Sequence, residues 1–239
     1  MKSKMYSKDI ILILIASFFY FSSPMLVTPL ITGFTESLGA GGALMGIVGG
    51  LMNICSLFCR PFVGNLADKI SKYKVSFIGA ALMTVASIGY IAAFDPVVVV
   101  LSRIVNGVGY ACCSVCMSTW MSNLLPENKI GSGMGIYGTM NALGMAVAPA
   151  IGVSLYQKLG YRPAFVVAAL FSAAIAVIIQ FVQNKGEPSA ASAGVHKKLE
   201  LIDVKVIPIA VIIMLFSIPY CATQSFLVTY IDARNLPVT

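Results

Sequence analysis

Charge is what this sequence has least of. Only 10% of the residues are Asp, Glu, Lys or Arg and 58% are hydrophobic, whereas a soluble domain carries roughly 25% charge. With a mean hydropathy of +0.89, the expected solvent is a lipid bilayer. Acids are scarcest, nine in 239 residues. Asp9, Glu36 and Asp95 lie at the ends of apolar runs, and Asp68, Glu127, Glu187, Glu200, Asp203 and Asp232 lie in connections or flanks. No carboxylate stands where a proton-driven antiporter would need one in mid-membrane. The single histidine, His196, sits in a polar stretch. Without a membrane histidine or carboxylate to complete a ligand set, the cysteines (Cys55, Cys59, Cys112, Cys113, Cys116, Cys221) read as small apolar residues rather than metal ligands. No metal, cofactor or catalytic dyad is implied, which argues against an intramembrane enzyme.

Apolar runs, by contrast, are long and numerous. A spanning helix needs roughly 20 such residues, and seven stretches qualify: Ile10 to Ile31, Ala43 to Val63, Val75 to Phe94, Val97 to Leu124, Met134 to Tyr156, Ala164 to Val182 and Val206 to Ile231. The first follows Lys2, Lys4 and Lys8 as a signal peptide would, but it is too long and no small-residue cleavage site follows it. The formal charge of +7 reports topology rather than nucleic acid, because the basic residues are scattered between apolar runs. If the spans alternate, Lys2, Lys4, Lys8, Lys69, Lys72, Lys74, Lys129, Lys185, Lys197, Lys198 and Lys205 fall on one side, and only Lys158, Arg162 and Arg234 on the other. The positive-inside rule makes the first side cytoplasmic. A multi-pass cell-membrane protein with a cytoplasmic N-terminus is expected.

Two arginines lie inside apolar runs. Arg103 stands eight residues beyond Asp95, roughly 12 Å into a helix, where a cation costs about 2.5–3.5 kcal/mol on insertion scales and needs a partner or water. Helical spacing puts Asn106, Tyr110, Ser114 and Met117 on the same face. That face suits the lining of a cavity, although an arginine bending outward to Asp95 is the plainer reading. Arg60 lies nearer the cytoplasmic connection and reads equally well as a snorkelling anchor.

Three short motifs sit in successive spans. Between the second and third, Gly64, Asp68, Lys69, Lys72 and Lys74 form G-x-x-x-D-K-x-S-K-x-K, a short cytoplasmic turn with Ser71 and Tyr73 at two positions of the pattern. The fourth span carries "LSRIVNGVGYA", with Arg103, Asn106, Gly107 and Gly109, and the fifth "GMAVAPAIG", with Gly144, Pro149 and Gly152. Together these resemble the signature segments of the major facilitator superfamily, with its drug-export members closest in the fifth span. The departures are Ser71 for a second glycine, Asn106 for glutamine and Ala148 for the glycine before proline. The resemblance implies an all-α integral membrane fold, a six-helix bundle of two inverted three-helix repeats, followed here by a seventh transmembrane helix. It further implies that the Gly64–Lys74 loop acts as a conformational latch, and that Gly107, Gly109, Gly144, Pro149 and Gly152 serve helix packing or gating.

On physical grounds Gly64 would let the second span pack closely on a neighbour, and Gly46 with Gly50, and Gly131 with Gly135, give the same G-x-x-x-G packing signal. Gly133 to Gly138, "GMGIYG", satisfies a dinucleotide fingerprint formally, but no strand precedes it, so close helix packing is the better account. Cavity-lining or coupling candidates are Arg103, Asn106 and Tyr110, with Ser17, Tyr20 and Ser23 of the first span and Tyr220 and Gln224 of the seventh. Each of these groups could instead satisfy a neighbouring helix.

The expected organisation is a transporter half over residues 1–182, a cytoplasmic linker over 183–205, and residues 206–239 as a seventh helix that begins a second half. The function implied is secondary transport, with export of small amphipathic molecules by alternating access. The competing reading is a truncated or partner-dependent subunit that does not transport alone. Its partners would be a small-molecule substrate, with proton coupling left open, the lipid bilayer, and a missing C-terminal half or partner subunit, with no nucleic acid.

Overall fold

A computed structural model describes residues 7–187 and 207–234, with backbone alone at 210, 224–225, 227–229 and 231–233. His196 and most of the linker lie outside the described residues. The helices are α1 (Lys8–Ser37), α2 (Gly42–Lys69), α3 (Lys72–Ile91), α4 (Pro96–Leu124), α5 (Ile130–Leu159), α6 (Tyr161–Ile178) and α7 (Ile207–Ala233). The first six are long and apolar enough to cross a bilayer, and α7 carries a shorter apolar stretch over Ile207–Thr223.

Local chemistry sets their ends. Ser7 caps α1 by accepting from the Ile10 amide, Ser71 caps α3 by accepting from Lys74, and Asp95 caps α4 by accepting from Val97 at 2.7 Å, with Pro96 opening the helix. Only Gly160 separates α5 from α6, and it turns the chain with φ of 86°, a conformation open to glycine. Pro24, Pro29, Pro61, Pro149 and Pro219 lie inside helices without ending them, as bundled spans allow.

The packing pattern reveals the repeat. α1 packs against α5 and α6, while α4 packs against α2 and α3. Exchanging the first three helices with the second three maps one set onto the other, and the α1–α4 and α3–α6 contacts map onto themselves. α1 and α4 are therefore the buried pair at the centre. α2 and α5 are peripheral and leave most of their surface uncovered. Two apolar clusters fill the bundle. One joins Ile10, Met83, Trp120 and Ile179 near one end, and the other joins Leu26, Tyr90, Ala148 and Phe165 near the other. α7 runs alongside α1, with its described side chains exposed.

Glycines set how closely the central helices approach. A Cβ at Gly107 would sit 2.6 Å from the Met52 carbonyl oxygen of α2, one at Gly109 2.7 Å from the Gly79 oxygen of α3, and one at Gly152 2.5 Å from the Leu26 oxygen of α1. At Gly144 it would meet Ser22 Oγ at 2.9 Å. Gly46, Gly64, Gly131 and Gly135 behave differently from the sequence reading. Each faces open space among the described residues, and Gly50 meets only its own helix's Ile54. The spacing was right for packing, but these positions lie on the sides of α2 and α5 that no other described helix covers.

The expected turn between the second and third spans is also mostly helical. Gly64, Asp68 and Lys69 belong to the end of α2, Lys72 and Lys74 to the start of α3, and Ile70 and Ser71 alone connect them. No proline follows Pro61 before Lys69, so the helix continues until Ser71 caps the next one.

At this end the chain leaving α6 is held firmly. The Asp9 carboxylate accepts from the Gln183 and Asn184 amides at 3.0 and 2.9 Å, and Trp120 Nε1 donates to the Asn184 carbonyl at 2.8 Å. The amides of Lys72 and Tyr73 donate to Gly186 and Lys185 oxygens, and Lys185 Nζ stands 4.3 Å from the centre of the Tyr73 ring.

Substituting Gly152→Leu or Gly107→Leu should force α5 from α1, or α4 from α2, and cost about 1–3 kcal/mol or more. Gly46→Ala should be neutral or slightly stabilising, by up to about 1 kcal/mol. Thermal unfolding of the purified variants in detergent checks the contrast, and equal losses at all three sites would contradict the packing described.

Candidate functional site

The central helices carry polar side chains that the bilayer cannot solvate, and most of these close on backbone carbonyls. Ser17 Oγ donates to Leu14 at 2.8 Å and Thr28 Oγ1 to Pro24 at 2.8 Å, within α1 itself. Ser23 Oγ donates across to the Ala168 carbonyl of α6 at 2.9 Å, and Thr84 Oγ1 to Ser172 Oγ at 3.1 Å. Such bonds tie helices together and leave little to meet a ligand.

Two polar groupings are different. The first surrounds Arg103, which is 1% exposed. Its Nε donates to the Val48 carbonyl of α2 at 3.1 Å, and Nη1 lies 3.6 Å from Met52 Sδ. The Tyr90 hydroxyl and the Asn106 side chain face it, but neither the Tyr90 hydroxyl nor either polar atom of Asn106 completes a well-formed hydrogen bond among the described residues. Arg103 thus turns inward to α2, not outward to Asp95.

The second grouping lines a pocket of about 320 Å3 formed by Tyr20 and Phe21 of α1, Arg60 of α2, Tyr110, Ser114, Val115, Ser118 and Thr119 of α4, and Asn141 of α5. Small-molecule sites span roughly 300–1,000 Å3, so the volume suits a compact ligand. Aromatic faces form one wall. The Tyr20 and Tyr110 rings lie 5.9 Å apart, and Phe21 meets Tyr110 edge-on at 6.0 Å. Tyr20 is held by a hydroxyl–hydroxyl bond of 3.1 Å to Tyr137.

Of the residues expected to line a cavity, Tyr20 and Tyr110 do so. Arg103 and Asn106 lie buried beside the pocket rather than in its lining, Ser17 and Ser23 are spent on carbonyls, and Tyr220 is exposed on α7. The side chain of Gln224 lies outside the described residues. Sequence reasoning passed over Tyr137 and Asn141, whose i, i+4 spacing on α5 was an available signal. Arg60 lines the pocket instead of standing apart as an anchor. Among the described residues no cluster of three His, Cys, Asp or Glu could hold a metal.

Six apolar helices in two matching triplets, with a polar pocket among α1, α2, α4 and α5, have the inverted-repeat arrangement found in membrane transporter folds. The chain belongs to the major facilitator superfamily, whose family model, described as Major Facilitator Superfamily, matches residues 13–239. It is similar to the quinolone resistance protein NorA of Staphylococcus aureus, 23% identical over 81% of this chain and 49% of that protein. It is also similar to a multi-drug resistance efflux pump PmrA homolog of Lactococcus lactis, 28% identical over 79% of this chain and 48% of that one. Among solved structures, a peptide transporter POT in complex with sulfate shares the fold with a TM-score of 0.69 at 14% identity, over 94% of this chain and 47% of its own. The human organic anion transporter MFSD10 does so with a TM-score of 0.64 at 17% identity, over 77% and 51%. The chain spans about half the length of the curated relatives it matches.

The Tyr20–Tyr137 pair should show a coupling of about 0.5–1.5 kcal/mol in a double-mutant cycle with Tyr20→Phe and Tyr137→Phe. Denaturation of the four forms in detergent measures it, and strictly additive losses would mean that the hydroxyls do not hold the pocket wall.

Proposed function

We propose that this chain forms the first half of a secondary transporter that exports small amphipathic molecules across the cell membrane by alternating access, with its N-terminus in the cytoplasm. The observation that carries the reading is the pocket of aromatic rings, hydroxyls and one cation, set among four helices of a bundle whose α2 and α5 sides are uncovered. A ligand resting there would meet the six-helix half on one side. A facing half, supplied by further sequence or by a partner subunit, would close over the other, and rocking between the halves would expose the ligand to each side in turn. The two bacterial relatives are named for quinolone resistance and multi-drug efflux, which supports export as the direction.

Arg103 is the side chain on which this cycle is expected to turn. It ties α4 to α2 through one carbonyl, beside an asparagine and a tyrosine whose polar atoms are free to re-pair. The Gly64, Asp68, Lys69, Lys72 and Lys74 set, at the α2–α3 connection, is proposed to latch one state. Because no carboxylate lines the pocket among the described residues, any proton coupling is assigned to the facing half.

Energised everted membrane vesicles from cells expressing the chain, incubated with an amphipathic dye such as ethidium in the medium, test the reading. Uptake above that of vesicles lacking the chain is expected. Arg103→Ala should lower it by roughly ten- to a hundredfold, the equivalent of losing a charged hydrogen bond of about 1.5–3 kcal/mol. Arg103→Lys should retain part of the flux. Vesicles with the protein well inserted but no flux, together with stable co-purification of another integral protein, would favour a partner-dependent subunit that does not transport.

A further inference from the structure

The cation in the pocket is uncompensated. Arg60 lies nine residues, about 13.5 Å, before the end of α2, and its side chain is exposed on the open side of the bundle. Its side chain lines the pocket with Tyr110 and Asn141. No carboxylate lines the same space, and no ion pair to Arg60 forms among the described residues. Asp68, the nearest acid along α2, is two helical turns further on.

The remaining polar groups in the pocket sharpen its sign. The hydroxyls of Ser114, Ser118 and Thr119 already donate to helix carbonyls at 3.2, 2.9 and 2.9 Å. Their protons are therefore engaged. Donors left for a ligand are the Arg60 guanidinium and the Tyr110 hydroxyl, both facing one cavity. A guanidinium presents a fork that matches a carboxylate in two parallel bonds. Tyr20, Phe21 and Tyr110 provide flat apolar faces beside it.

We infer that the pocket selects organic anions, compact aromatic carboxylates whose carboxylate pairs with Arg60 while the ring stacks on Tyr20, Phe21 and Tyr110. This names a substrate class within the transport reading above and rests on it for the direction of movement only. Binding itself requires no cycle. A cation of the ethidium type would use the aromatic wall alone and lose the guanidinium contact.

The test uses membranes carrying the full chain and two radiolabelled probes of nearly equal shape, 1-naphthylacetate and the neutral 1-naphthylacetamide. Equilibrium binding should favour the carboxylate by roughly tenfold or more, the size of a charge-assisted hydrogen bond. Arg60→Gln should abolish that ratio and Arg60→Lys should keep part of it. Adding Ser118→Lys to the Arg60→Gln chain should restore a preference by returning a cation to the same cavity. That recovery would exclude misfolding as the cause of the loss. Equal binding of the two probes by the unaltered chain, or a preference that survives Arg60→Gln, overturns the inference. A carboxylate preference that depends on Arg60 in everted vesicles that accumulate neither the dye nor 1-naphthylacetate would uphold it while removing the export reading.

Discussion

Hydrocarbon offers no water, so every polar group carried into the membrane must find a partner inside the protein or border a wet space. That constraint organises the whole bundle. Serines and threonines of α1 and α4 close on carbonyls of their own helices or reach to α6. Arg103 is drawn to the Val48 carbonyl rather than to the surface. Arg60, Tyr110 and Asn141 are collected around one cavity. The pocket is where the bundle's polar residues remain available to a solute.

Since lipid drives helix association weakly, close backbone approach must supply much of the packing. Gly107, Gly109, Gly144 and Gly152 set the α4–α2, α4–α3 and α1–α5 distances. Removal of the side chain at these four positions brings helix against helix, while the glycines at 46, 64, 131 and 135 leave bare strips on α2 and α5. The same two helices that border the pocket thus present their smoothest sides outward, a surface on which another helical body could slide as well as pack.

The fold was largely legible before any coordinates. Seven apolar runs, the motif at the second-to-third connection and the glycine-rich fourth and fifth spans pointed to the six-helix half and to its family. Boundaries were less so, because a bilayer-length criterion finds hydrophobic cores and not helix ends. α2 continues to Lys69 through residues that looked like a loop. The site was only partly legible. Spacing along one helix placed Tyr110 and Ser114 on a common face, but nothing in a single sequence says which neighbour that face meets. Arg60 illustrates the gap. Charge near a connection suggests anchoring, and only the rotation of α2 toward α4 shows it in a pocket. Asp9 and Trp120 were overlooked for the same reason, since their partners lie 174 and 64 residues away.

Those two residues have a mechanical meaning as well. Asp9, Trp120 and the first amides of α3 grip the chain at Gln183 to Gly186. The chain is therefore anchored some five to eight residues beyond the end of α6 at Ile178. A pull along it would be shared among the ends of α1, α3 and α4 before it could unwind α6. Tension at this point would act on the bundle as a rigid body, through a hitch shared by three helices.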